Sequence, residues 1–140
     1  MAQLPDVVKK AITKQDIFPV ATSNQDCIPN VVYIKYLKLV DDETILIADN
    51  YLKKTRDNIL GNGKIAFAVR DEGKGSFQIK GTAERLTEGD MFDEVQKWVP
   101  DKLPRVAAVI MHIEKIYNGA KQISKKKHSM NITITKPCIV

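Results

Sequence analysis

Thr44-Ile45-Leu46-Ile47-Ala48-Asp49-Asn50-Tyr51-Leu52-Lys53-Lys54-Thr55-Arg56-Asp57-Asn58-Ile59-Leu60-Gly61-Asn62-Gly63 is the stretch on which the reading of this chain turns. Thr44 to Ala48 is an apolar run of strand length, and it stops abruptly at Asp49-Asn50. Tyr51 to Leu60 then sets Leu52, Ile59 and Leu60 among Lys, Arg and Asp, which reads as a short helix. Gly61-Asn62-Gly63 supplies its left-handed cap. A helix start leaves several amides unpaired and carries partial positive charge, so it suits a phosphate. Lys53 and Lys54 add cations there and Thr55 adds a hydroxyl donor, and charge-assisted bonds of this kind are about twice as strong as neutral ones. Taken alone, the same residues also describe an ordinary solvated basic helix face.

Working back towards the amino terminus, Asp41-Asp42-Glu43 is a turn, preceded by a long run from Ile28 to Val40 rich in Val, Ile, Tyr and Leu. Asn24-Gln25-Asp26 separates that run from Ile17 to Ser23, so the two are expected to form a hairpin. Leu4, Val7, Val8, Ala11 and Ile12 fall at helical spacing, with Pro5 and Asp6 where a helix start accepts them. Working forward, Lys64 to Arg70 and Ser76 to Leu86 read as strands around a polar, glycine-containing turn at Asp71 to Gly75. A helix from Gly89 to Val99 places Met91, Phe92, Val95, Trp98 and Val99 on one face, and Pro100 stops it. Ala107 to Tyr117 is the last clear strand. The fold expected is mainly β with peripheral helices: six strands in mostly antiparallel order forming a closed or half-open barrel. Residues 1–119 make the domain, and 120–140 form a basic tail that either adds a peripheral strand or trails free.

The chain has 140 residues, 44% of them hydrophobic and 28% charged. That is enough for one core, and the balance excludes a wholly disordered or fibrous chain. Apolar runs such as Val106 to Met111 are far short of the ~20 residues needed to cross a bilayer, and no signal-peptide core opens the chain, so a cytoplasmic protein is expected. The two cysteines, Cys27 and Cys138, make neither a disulfide framework nor a zinc or dithiol motif, and both thiols are expected to be free. A net charge of +5 favours an anionic ligand or surface.

The order of these elements resembles the FMN-binding split-barrel family, that of pyridoxamine 5'-phosphate oxidase and the small FMN-binding proteins. The likeness runs from about Ile17 to Tyr117. It is carried by Phe18-Pro19-Val20-Ala21-Thr22-Ser23, Ile28-Pro29-Asn30-Val31-Val32-Tyr33, Ala48 through Asn58, and Phe77-Gln78-Ile79-Lys80-Gly81-Thr82-Ala83-Glu84. The resemblance implies a six-stranded split barrel, FMN as cofactor and a homodimer with a flavin at each end of its interface. It assigns the phosphate to Lys53, Lys54 and Thr55. It places Val31, Val32, Tyr33, Ile34, Lys35, Ile47, Ala48 and Asp49 on the two strands that line the ring and ribityl chain. Tyr33 either borders the ring or is a core aromatic. Lys35 either sets positive charge by the ring edge or faces solvent.

The vitamin-synthesising oxidases of this family carry a carboxy-terminal segment with Arg and His. Here the sequence after Tyr117 is Lys-rich and its sole histidine is His128, so pyridoxal phosphate synthesis is not expected. Two functions stand open: an FMN-dependent oxidoreductase acting on a small molecule, and a flavin-carrying electron-transfer module docking to a redox protein. Some relatives hold a flavin-like or tetrapyrrole group instead. Gly63-Lys64 and Gly73-Lys74-Gly75 do not complete a Walker spacing. His112 lies in an apolar strand and reads as an edge or core histidine, so no metal is expected. Lys121 with Lys125 to Lys127 is basic, but it lacks an aromatic platform for nucleic acid.

Overall fold

A computed structural model describes residues 2–124. Its elements are α1 (Asp6–Lys14), β1 (Phe18–Ser23), β2 (Pro29–Ile34), β3 (Leu37–Asp41), β4 (Thr44–Asp49), α2 (Lys54–Asn62), β5 (Lys64–Asp71), β6 (Gly75–Leu86), α3 (Asp90–Trp98), β7 (Ala107–Asn118) and β8 (Lys121–Gln122). Every pairing is antiparallel, and the strands lie side by side as β2-β1-β5-β6-β7-β4-β3, with β8 added beside β7.

The expected single strand from Ile28 to Val40 is two strands, broken at Lys35-Tyr36. A tight turn makes the break: the Leu37 amide donates to the Lys35 carbonyl at 3.2 Å, and the Ala48 amide donates to the Tyr36 carbonyl at 3.0 Å. This break shapes the sheet. β2 and β3 are neighbours in sequence but stand at opposite ends of the strand order. Three residue steps, from Ile34 to Leu37, reach at most roughly 11 Å. A flat seven-strand sheet would part its end strands by more than twice that, at roughly 4.8 Å per strand. The sheet therefore curls until its two ends meet at Lys35-Tyr36, giving the split barrel.

Inside the barrel, alternate residues of β1, β5 and β6 pack together: Phe18, Val20, Phe67, Val69, Phe77 and Ile79 are all buried, and the rings of Phe18 and Phe67 meet edge to face at 6.1 Å. α1 covers one end with Val8, Ala11 and Ile12, packing on β3 and β5. β4 and the first part of β7, Ala107 to Met111, lack this alternation and are buried on both faces. Their inner residues join the barrel core, while Leu46, Ala48, Ala108 and Ile110 form a second core beneath Val95 of α3 and Val99 just after it. A strand covered on both sides reads as a continuous apolar run, as Thr44 to Ala48 does. Lys38 on β3 fastens α3 from the outside, with its ammonium 2.7 Å from Glu94 and 4.5 Å over the Trp98 ring. The bond to Lys38 holds the Glu94 carboxyl below the usual carboxylate range.

α2 ends, as expected, on a left-handed Gly63 (φ 69°), whose carbonyl accepts from the Ala83 amide at 2.7 Å. Cys27, expected as a free thiol, is disulfide-bonded; the scarcity of cysteines excludes a framework but not a single bond. Of the basic tail, Lys121–Gln122 forms β8, and Lys125 to Lys127 and His128 lie outside the described residues. No helix among the described residues is long and apolar enough to cross a membrane.

Gly81 sits where the β6–β7 register shifts, and a Cβ there would collide with the backbone carbonyl oxygen of His112. Gly81→Ala should cost on the order of 1–3 kcal/mol in urea unfolding, because neither backbone can yield without disturbing the ladder. An unchanged midpoint would mean that the two strands can part there without penalty.

Candidate functional site

The seam where the barrel opens holds a cleft of about 590 Å³. The end of β2 and the break contribute Val32, Tyr33, Ile34, Lys35 and Tyr36; β4 and the loop after it contribute Ala48, Asn50, Tyr51 and Leu52. Lys53, Lys54 and Thr55 close it from the start of α2, and Lys102 and Leu103 come from the loop after α3. One end is therefore cationic and the middle apolar. No carboxylate lines it, and none of Lys35, Lys53, Lys54 and Lys102 is in an ion pair among the described residues.

The start of α2 is built by residues around it. Asp49, fully buried at the end of β4, accepts from the Leu52 amide on one carboxylate oxygen at 3.1 Å and from Arg85 Nε on the other at 3.0 Å. Its backbone carbonyl accepts from the Val106 amide at 2.9 Å. Asp49 thus folds the chain sharply from β4 into α2 and ties that bend to β6 and the start of β7. Lys53 occupies the helix N-cap without a capping side-chain bond, so the first amides of α2 keep their donor capacity. Asn30 Nδ2 donates to Thr55 Oγ1 at 3.0 Å and lies 3.2 Å from Thr22 Oγ1, which also accepts from Asn58 Nδ2 at 2.9 Å. With its lone pair engaged by Asn30, the Thr55 hydroxyl has its proton available for a ligand in the cleft.

The far wall is held in the same way. Arg105, at φ 49°, donates its amide to Asn50 Oδ1 at 3.0 Å and its Nη1 to the Gln96 carbonyl at 2.9 Å, while its own carbonyl accepts from Gln96 Nε2 at 2.8 Å. These bonds join the loop carrying Lys102 and Leu103 to both α3 and the bend after β4.

Of the residues singled out in the sequence, Val32, Tyr33, Ile34, Lys35, Ala48, Lys53, Lys54 and Thr55 line this one cleft. Three others stand off it. Val31 is on the outer face of β2, two-thirds exposed; Ile47 is in the barrel core; Asp49 supports the bend from behind. Sequence reading passed over Tyr36, Asn50, Tyr51 and Leu52, which directly follow strand residues it had chosen and could have been reached by continuing past each strand end. Lys102 and Leu103 arrive from a distant loop, and nothing local in the sequence marks them.

The family model described as pyridoxamine 5'-phosphate oxidase matches residues 4–133. The chain belongs to that family. The chain is also similar to an uncharacterized protein of Methanocaldococcus jannaschii, 35% identical over 123 residues, which is 84% of this chain and 82% of that protein. Among solved structures, HupZ of Group A Streptococcus is 30% identical with a TM-score of 0.78, covering 88% of this chain and 99% of that one. An FMN-binding protein of Syntrophomonas wolfei superposes with a TM-score of 0.61 over 85% of each chain at 22% identity, a likeness of fold. The split barrel is thus the architecture the chain shares with these structures.

Asp49→Ala removes the counter-charge of Arg85, whose side chain is only 16% exposed, and frees the Leu52 amide together. Urea unfolding should show a loss on the order of 3 kcal/mol. Asp49→Asn, which can still accept from Leu52, should lose less. Equal losses would assign the whole effect to charge.

Proposed function

We propose that this protein is an FMN-binding flavoprotein of the oxidoreductase type, with its cofactor in the seam cleft. The observation that carries this reading is the match between the polarity of the cleft and the shape of the molecule. FMN is a flat, largely apolar ring joined by a polyol to a phosphate. The cleft sets the uncapped start of α2, Lys53, Lys54 and the Thr55 hydroxyl at one end. Apolar walls of Val32, Ile34, Ala48, Leu52 and Leu103 make up its middle. The family and the FMN-binding neighbour of the same fold support the same choice.

On this reading, Lys54 and Lys53 neutralise the phosphate, and the first α2 amides and Thr55 orient it through directional bonds. Asn30 fixes the Thr55 rotamer by holding its oxygen. Tyr33 and Tyr51, both more than two-thirds exposed, stand at the open rim beside the ring. When bound, the flavin supplies reversible electron transfer. The chain contributes binding, orientation and a positive field from Lys35, which favours the ring form that gains negative charge.

We further propose that the protein is a homodimer. Ile28, Val31, Tyr33, Tyr51 and Leu60 are all more than half exposed, and they belong to β2, its approach, and the neighbouring α2 region. Large apolar residues gathered on adjoining elements mark an interaction surface. Covering them by a second copy would also roof the open rim of the cleft.

Lys54→Ala should weaken FMN on the order of tenfold or more while changing riboflavin little, since only FMN carries the phosphate. Titration of flavin fluorescence measures both. Equal losses would move the phosphate away from α2. Sedimentation should give a dimer that Val31→Glu converts to monomer; a wild-type monomer at micromolar concentration would end the dimer proposal.

A further inference from the structure

On the other side of the Lys35-Tyr36 break lies a second groove, of about 420 Å³. It is bounded by the end of α1 and the residues after it, by β3, and by Trp98 of α3. Lys35 and Tyr36 are the two residues it shares with the seam cleft. The two spaces therefore meet across a single turn of backbone.

The walls of the groove are mixed, with Tyr36, Trp98 and Leu39 set among polar residues such as Gln15, Asp16 and Lys38. Tyr36 and Trp98 pack edge to face at 5.7 Å with an interplanar angle of 85°, so a ring face and a ring edge stand at right angles. Ile12 and Leu39 add aliphatic surface. The Lys38 ammonium already covers one face of Trp98, so an added ring would meet the remaining aromatic surface by offset or edge contact. Its volume lies in the range of small-molecule sites.

Its charges are unequally committed. Lys38 is held by Glu94 and lies over Trp98, which leaves its ammonium already paired. Asp16 is the carboxylate in the lining, exposed on the α1 side. Lys35 has no carboxylate partner among the described residues, and its ammonium stands 5.7 Å from the centre of the Tyr36 ring. The lining thus offers one uncommitted cation beside an aromatic corner.

We infer that this groove is a binding site for a small aromatic carboxylate, its ring against Tyr36 and Trp98 and its anion on Lys35. Its designation as the substrate site of the flavoprotein rests on the reading above; the binding itself does not. A ligand seated there would lie beside the cofactor cleft rather than within it, and would reach across Lys35-Tyr36 to the exposed part of the flavin.

The probe is para-trifluoromethylbenzoate, followed by fluorine NMR and by the fluorescence of Trp98, the chain's single tryptophan. Para-trifluoromethylbenzyl alcohol is its neutral counterpart. Both are titrated into the full chain, with and without saturating FMN, and FMN occupancy is read separately from flavin absorbance. The benzoate should bind with FMN present and perturb Trp98. Thr13→Phe, at an exposed α1 position on the groove rim, should reduce that binding on the order of tenfold by filling the mouth, and FMN affinity should be unchanged. Lys35→Gln should weaken the benzoate by a similar factor and leave the alcohol unaffected. Competition between the benzoate and FMN, or indifference to both substitutions, would overturn the inference. Failure of FMN to bind would instead strike the flavin reading, and the benzoate titration on the flavin-free chain would still decide the groove.

Discussion

The short link between Ile34 and Leu37 constrains everything else in this protein. It joins the two end strands of a seven-strand path, and no flat sheet satisfies it. Curling closes the sheet around the Phe18, Phe67, Phe77 core, and it leaves an opening where the ends meet but do not pair. The turn at Lys35-Tyr36 belongs to neither end strand and keeps a single backbone bond to β4, from the Ala48 amide to the Tyr36 carbonyl, so space remains on both sides of it. Both cavities lie on either side of that turn. The same few residues therefore impose the barrel and create its binding spaces.

A second tier of constraint sits behind the cleft. Asp49 accepts from the Leu52 amide and Arg85, Asn50 accepts from the Arg105 amide at the cleft wall, and the Arg105 side chain donates to the Gln96 carbonyl. They fix two loops whose free ends carry the lysines. The paired charge of Asp49 and Arg85 holds structure, whereas the lysines lining the cleft carry no ion pair among the described residues. Lys53, Lys54 and Lys102 can then neutralise an incoming anion without breaking an existing bond.

Much of this was legible in the sequence, and the remainder was hidden for identifiable reasons. Helix and strand periods located α1, α3, β5, β6 and β7 to within a few residues. The Gly63 cap and the cationic start of α2 were explicit, because local chemistry determines them. The break at Lys35-Tyr36 was not, since Val31 to Val40 has unbroken β character and no glycine or proline marks a turn; the tertiary demand for closure overrides propensity there. Asp49 reads in sequence as a polar residue ending a strand beside a ligand. Its role as a buried partner for Arg85 depends on residues thirty-six positions apart and has no local signature. Lys102 and Leu103 were out of reach for the same reason.

The double burial of β4 and β7 has a consequence for how the molecule breathes. These strands are sandwiched between two cores, whereas β2 pairs only with β1 and presents one face to solvent. Local opening costs least where few apolar contacts must be lost, so in a single protomer β2 should open more readily than the β4–β7 ladder. The cleft accordingly has one wall on a doubly covered strand, β4, and one on an edge strand, β2. The two walls therefore differ in how much packing must be lost to move them, and the α2 side, carried on β4, is the stiffer.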